Sequence, residues 1–312
     1  MTLMIKKIED INKYIGNDRL AELVRSAENF HSNQYNDIIN MLINDRKGSR
    51  LVCIAGPSSS GKTIFSNKLR KKLSEIGVKS MVISMDNYFL DKEFIKADEF
   101  GKYDFESIDI IDILLFKKHM EALTKGEGVY LTHYNFFTGK KEYDEEMTFL
   151  DKDSMVFIEG IHALNYDELY SHLDREKIFG VYIAPQDSYL SESGDMLEPH
   201  QIRLVRRAVR DSLYRNCKLP GTLAMWDSVR NGEKKYISPY KVNADYCFNS
   251  SIKYEIPVLK KYFIEEYNLM DDENREICER HIHKKTLEEF FEAESEIVPQ
   301  ASILNEFIPK TS

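Results

Sequence analysis

The feature that most narrows what this chain can fold into is Gly56-Pro57-Ser58-Ser59-Ser60-Gly61-Lys62-Thr63. It starts on the last residue of a short apolar run, LVCIAG, and ends inside a helical pattern that runs from Lys62 to about Ile76 and is closed by Gly77. The run matches G-x-x-x-x-G-K-[ST] in the strand, turn and helix context that a phosphate-binding loop requires. Small residues let the backbone curl so that successive N–H groups and the helix N-terminus face one anion. Lys62 then reaches the outer phosphates of a nucleotide, and the Thr63 hydroxyl is placed for Mg²⁺. All eight residues, Gly56 to Thr63, are therefore candidate ligands of ATP.

The rest of the chain supplies a sheet for that loop. Further strand candidates are SMVISM, ending at Asp86, then MVFIEG (155–160), IFGVYIA (178–184) and ADYCFNS (244–250), with helical patterns such as IDIIDILLFKKHMEAL between them. Continuous apolar strands alternating with helices predict an α/β fold with a parallel sheet covered by helices on both faces. Residues 1–48 read as a helical appendage, with Ile8, Ile11 and Ile15 near one face and a longer amphipathic run from Asp18 to Asn44. The catalytic domain is expected over 49–312, with an acceptor-site insertion at about 88–148 and a lid at about 190–236. Two more helices are expected around 253–268 and 274–293, before a tail bearing Ile303, Leu304 and Phe307.

Composition excludes other classes. The chain has 312 residues, 43 Lys plus Arg and 52 Asp plus Glu, for a formal net charge of −9. Duplex nucleic acid is an unlike partner for so acidic a surface, because such binding rests on cations displacing counterions. No run approaches the ~18 apolar residues of a membrane span, and the first residues carry charges where a secretory signal needs a continuous apolar core. Cys53, Cys217, Cys247 and Cys278 have no metal-site or redox spacing, so four reduced thiols in a cytoplasmic protein are expected. An N-K-x-D guanine-reading element does not occur, and the D-x-x-G at Asp98 to Gly101 follows a charged loop instead of a strand, which disfavours a GTP switch.

A phosphotransferase needs a carboxylate near the metal and a base for the acceptor. Glu159 ends the apolar run Met155 to Ile158 and fits the first role, directly or through water. Asp86 ends the strand next to the loop strand, at the edge where open parallel sheets bind ligands, and is the candidate base. Arg203, Arg206, Arg207 and Arg210 recur at i, i+3, i+4 and i+7, opposite Leu204, Val205, Ala208, Val209 and Ser212. Guanidiniums gathered on one helical face repel unless an anion faces them, so this face predicts a lid over the ATP phosphates.

GPSSSGKT, SMDNYF, YDFESID, HYNFFTGKKEY, MVFIEGIHALN, RLVRRAVRD, SVRNGEKKYISPY and NADYCFNS follow one another in the order found in the uridine kinase family of P-loop nucleoside kinases, which this chain resembles over about residues 49–260. It is most similar to the uridine kinase-like domain that follows threonyl-tRNA-synthetase-like modules in bacteria. The resemblance implies that Asp86 acts on a nucleoside 5′-hydroxyl and that Tyr88 lies near the sugar. It also implies that Asp104 accepts from ribose hydroxyls, that Tyr134 lines the base pocket, and that Arg203 holds substrate near the transferred phosphate. Arg206, Arg207 and Arg210 resemble lid arginines. The chain departs at Gly139, where nucleoside-specific members carry a base-reading histidine, and at Gln201, where an aspartate is usual.

These readings converge on an ATP- and Mg²⁺-dependent kinase acting on a primary hydroxyl of a small acceptor, with uridine or cytidine leading and a homo-oligomer compatible with the sequence. Another small-molecule kinase of this fold, acting on a sugar phosphate or a pantothenate-like alcohol, and a nucleotide-binding regulatory module without turnover remain as alternatives.

Overall fold

The computed structural model describes residues 4–45, 48–96, 104–135 and 137–309. The Asp98 to Gly101 stretch, together with Tyr103 and Phe136, lies outside them. In chain order the elements are β1 (Met4–Lys7), α1 (Ile8–Gly16), α2 (Leu20–Asn40), β2 (Leu51–Ala55), α3 (Lys62–Glu75), β3 (Ser80–Ser84) and α4 (Ile113–Lys125). A hairpin of β4 (Thr132–Asn135) and β5 (Lys140–Tyr143) precedes β6 (Met155–Glu159), α5 (Tyr166–Leu169), β7 (Ile178–Ala184), β8 (Asp187–Leu190) and β9 (Met196–Leu197). The remainder is α6 (Pro199–Tyr214), α7 (Leu219–Gly232), β10 (Tyr246–Asn249), α8 (Glu255–Asn268), α9 (Asp272–His281) and α10 (Lys284–Glu288).

The five apolar runs form one parallel sheet in the order β10-β7-β2-β6-β3. β2 and β7 are buried at every position, as central strands covered on both faces must be. The loop strand β2 sits in the middle, with its carboxyl end facing the crevice where the connections diverge to either side. Register carries the chemistry: Glu159 of β6 stands opposite both Ile54 of β2 and Ser84 of β3. Asp86 follows Ser84 by two residues in a 3-10 turn, so both candidate carboxylates emerge on the same sheet edge as the loop.

The first residues depart from an all-helical segment. β1 pairs in parallel with β8, which pairs antiparallel with β9, making a small second sheet. Its short sequence, MIKK, has no period-two alternation, and pairing with β8 is what makes it a strand. α1 and α2 contribute Ile8, Ile11, Leu23, Val24, Tyr35 and Ile38 to the same hydrophobic core as β2, β7 and α3. Tyr35 stacks on Phe65 of α3 at 5.1 Å, and Phe65 meets Phe248 of β10 edge-on at 4.8 Å. The expected helix over 274–293 is two shorter ones, because Ile282 is extended between α9 and α10. All four cysteines are free. Among the described residues no helix is long and apolar enough to cross a membrane.

His31 is completely buried on α2, with Nε2 3.0 Å from the Ser251 carbonyl and its ring against Phe248. Burial first, then the Arg206 and Lys68 charges, pushes it from 6.5 down to about 3. Below pH 6.5 the unfolded chain binds a proton on His31 that the folded chain refuses until about pH 3, so this residue makes stability fall as pH drops across that window. Urea unfolding at several pH values should show a shallower acid-side slope for His31→Gln than for wild type, whatever the variant's stability at pH 7. An identical slope would remove His31 as a source of acid sensitivity.

Candidate active site

The loop leaves β2 and wraps the N-terminus of α3. Gly61 caps that helix with φ +93°, a backbone conformation that strains any residue with a Cβ, and no side chain caps the first turn. Ser59 also adopts positive φ, and the Ser59 and Ser60 hydroxyls are buried without hydrogen-bond partners. Uncapped helix N–H groups and orphaned hydroxyls around one concavity fit the oxygens of a phosphate chain. Lys62 is folded back, its Nζ donating to the Gly56 carbonyl at 2.9 Å and the Pro57 carbonyl at 3.3 Å. Burial lowers its pKa, while Glu159 and Asp86 pull in the opposite direction.

The cleft beside the loop is lined by four carboxylates, Asp86, Glu106, Glu159 and Glu306, and four cations, Lys62, Arg207, Arg210 and Arg215. Crowding by the surrounding protein raises the pKa of Asp86, with Lys62 and Arg215 opposing, although the residue keeps an exposed face at the cleft. Glu159 and Glu106 are raised for the same reason, opposed by Lys62 in the first case and chiefly by Arg207 in the second. The Thr63 hydroxyl, Glu159 and Asp86 present oxygen donors to one space, the donor type that Mg²⁺ takes. Among the described residues no three acidic, His or Cys side chains form a closed cage. That suits an ion held by one or two protein oxygens together with substrate phosphates.

The four expected lid arginines do not act alike. All four lie on α6, whose apolar face is packed into the main core. Arg207 lines the cleft and donates to Ser58 Oγ at 2.8 Å, and Arg210 lines it too. Arg206 does not reach the cleft. It is fully buried, pairs with the equally buried Glu255 at 2.5 Å, and donates to the Ser250 carbonyl at 2.7 Å. Arg203, expected beside the acceptor, donates to the Ser58 carbonyl at 3.0 Å and pairs with Glu233 at 2.7 Å. These two arginines brace the loop from behind. Asp211, also buried, draws Arg207, Arg210 and Arg215 together through contacts of 3.4, 2.7 and 3.5 Å.

The acceptor-side expectations also divide. Tyr88 does not face the cleft: it is completely buried, hydrogen-bonded to His119 Nδ1 at 3.1 Å and packed edge-on against Phe116. Its motif neighbour Phe89 lines the cleft instead, with Tyr134 packed edge-on behind it at 5.4 Å. Asp104 lies on an adjoining cleft with Ser107, Asp109 and Tyr236, where it accepts from the Tyr236 hydroxyl at 2.9 Å. Gly139 closes the β4–β5 turn with φ +69°, and a Cβ there would come within 3.0 Å of Lys92. The turn itself, and not only a changed side chain, stands where the base-reading histidine was expected.

Glu106, Arg215 and Glu306 escaped the sequence reading. Arg215 continues the line Arg207, Asp211, Arg215 at steps of four, a signal that was available. Glu106 is in the YDFES motif beside Asp104, but nothing local marks it. Glu306 arrives from the chain's far end, and no sequence pattern links it to residues 56–63.

Loop, strand-end carboxylates and arginine cluster together define a P-loop phosphotransferase. The chain belongs to the Phosphoribulokinase / Uridine kinase family, whose sequence profile matches residues 51–256. It is 28% identical over 200 residues to a uridine kinase of Borrelia turicatae, covering 63% of this chain and 84% of the relative. A uridine kinase of Aliivibrio salmonicida is 28% identical over 202 residues, covering 62% and 83%. A solved structure from Bacillus stearothermophilus, described as a possible uridine kinase, is 19% identical with a TM-score of 0.46, covering 70% of this chain and 98% of that one. The protein is thus an ATP-dependent kinase of a nucleoside or other small molecule.

Glu255→Ala should destabilise the fold by about 3–5 kcal/mol in denaturant unfolding, because it strands the buried Arg206 charge. A loss below ~1 kcal/mol would show that the pair does not hold the loop's rear wall.

Proposed function

We propose that the chain transfers the γ-phosphoryl group of ATP to a primary hydroxyl of a small ribose-containing acceptor, with the 5′-hydroxyl of uridine or cytidine as the leading case. The observation that carries this reading is the juxtaposition of Asp86 with Lys62 at one sheet edge, facing Arg207 and Arg210 across the cleft. Asp86 orients the acceptor hydroxyl and takes its proton as the new P–O bond forms. The bond to the β-phosphate oxygen breaks, and ADP leaves. Lys62, Arg207 and Arg210 bind the phosphate oxygens and favour the charge that develops on them. Thr63 and Glu159 would hold Mg²⁺, which when bound neutralises phosphate charge. Arg206 and Arg203 are positioning residues for the loop carbonyls. Asp104 and Tyr134 flank the acceptor from the insertion, at sugar and base respectively.

A second reading has its own support. The Gly139 turn leaves the base side without the expected histidine, and a pocket that lacks such a polar group discriminates bases weakly. This favours keeping sugar phosphates and pantothenate-like alcohols among the acceptors.

Both readings are separable from a regulatory module by incubating the protein with ATP and Mg²⁺ against nucleosides, sugar phosphates and alcohols, with products read by mass spectrometry. Product on uridine or cytidine supports the leading case, and no product on any acceptor supports the module. Asp86→Asn should leave nucleotide binding within about threefold while lowering turnover by ~10²-fold or more; unchanged turnover removes it as base. Lys62→Ala should weaken nucleotide binding and turnover together, and normal nucleotide binding would overturn the role given to the loop.

A further inference from the structure

Residues 301–308 form a tail that is built into the rear and rim of the loop. Ile303, Leu304, Phe307 and Ile308 are buried, and Ile303 lies so close over Gly61 that a Cβ there would meet it at 2.4 Å. The Arg206 guanidinium lies 5.2 Å over the Phe307 ring. Lys68 donates to the Ala301 carbonyl at 2.9 Å, and Ser302 Oγ accepts from the Leu304 N–H. Burial of four apolar side chains makes this a fixed wall. The 3-10 turn Ile303–Glu306 therefore holds the Glu306 carboxylate in the phosphate cleft, within electrostatic reach of Lys62 and Arg215, with Oε2 lacking a hydrogen-bond partner.

We propose that Glu306 is a specificity-determining residue that makes the phosphate site discriminate the Mg²⁺ complex of a nucleoside triphosphate from the free triphosphate. This rests on the reading that the cleft binds nucleotide phosphates. Among the described residues the cleft's carboxylates and cations match one for one. A ligand with roughly four negative charges therefore meets side-chain charges that cancel, so that its attraction comes from the loop N–H groups and the α3 N-terminus, and the fixed Glu306 carboxylate, outside any ion pair among the described residues, repels it. Magnesium cancels about half of that charge and so about half of the repulsion, which scales with the product of the charges.

The test is calorimetric titration with the non-hydrolysable triphosphate AMPPNP, in EDTA and in excess Mg²⁺. E306Q should bind AMPPNP about tenfold tighter than wild type in EDTA and no more than about threefold tighter in Mg²⁺, the scale of one screened charge contact. E306D, which keeps the charge, should retain the wild-type ratio between the two conditions, and its thermal midpoint reports folding separately. Equal gains in both conditions, a loss confined to Mg²⁺, or an E306D that behaves like E306Q would each overturn the proposal. A wild-type protein that binds AMPPNP in neither condition would overturn the nucleotide-site reading itself.

Discussion

The structure depends on keeping several guanidiniums close together without letting them repel one another. Asp211 answers Arg207, Arg210 and Arg215, Glu255 answers Arg206 and Glu233 answers Arg203, and Asp211 and Glu255 are buried where their attraction is little screened. With charge balanced in this way, α6 can press its apolar residues into the core while its arginines address the loop from two sides. Arg203 and Arg206 hold loop and neighbouring carbonyls, and Arg207 reaches Ser58 Oγ. These contacts fix the loop and the cleft arginines within the protein itself, and fixed donors of this kind are what electrostatic stabilisation of a transferring phosphoryl group requires.

That arrangement links the two ends of the chain to its centre. α2 reaches the loop helix through the Tyr35–Phe65 stack, and the C-terminal tail covers Gly61 and places Phe307 beneath Arg206. α1 and α2 thus share the hydrophobic core of the sheet, although the sequence of residues 1–48 reads as an appendage. The same packing carries Glu306 into a cleft whose other charges come from residues 62 to 215.

What was legible in the sequence was what depends on neighbours along the chain. The phosphate loop is a strand, a turn and a helix in sequence, so its glycines, Lys62 and Thr63 announce both conformation and chemistry. The central strands β2, β6 and β7 were readable because strands buried on both faces need unbroken apolar runs, the edge strands β3 and β10 were readable as shorter apolar runs, and Asp86 and Glu159 could be placed because they end or follow such runs. The arginine stripe was readable as a face, but periodicity says only that side chains share a direction. It could not say that Arg206 would meet Glu255 and Arg207 would meet Ser58, because those partners lie 49 and 149 residues away. Tyr88 shows the same limit: its motif placed it near a sugar, whereas packing against Phe116 and His119 turned it into the core.

The sequence by itself therefore determined the class of fold, the phosphate-binding loop and the carboxylates at the strand ends, because backbone curvature, helix capping and strand burial are decided within a few residues. Only the tertiary structure decided which arginines line the cleft and which brace the loop, that Gly139 closes a turn, and that Arg215 and Glu306 enter the cleft. Those outcomes depend on which charges and apolar surfaces meet across long separations in the chain, and a buried charge takes its role from the partner it finds there.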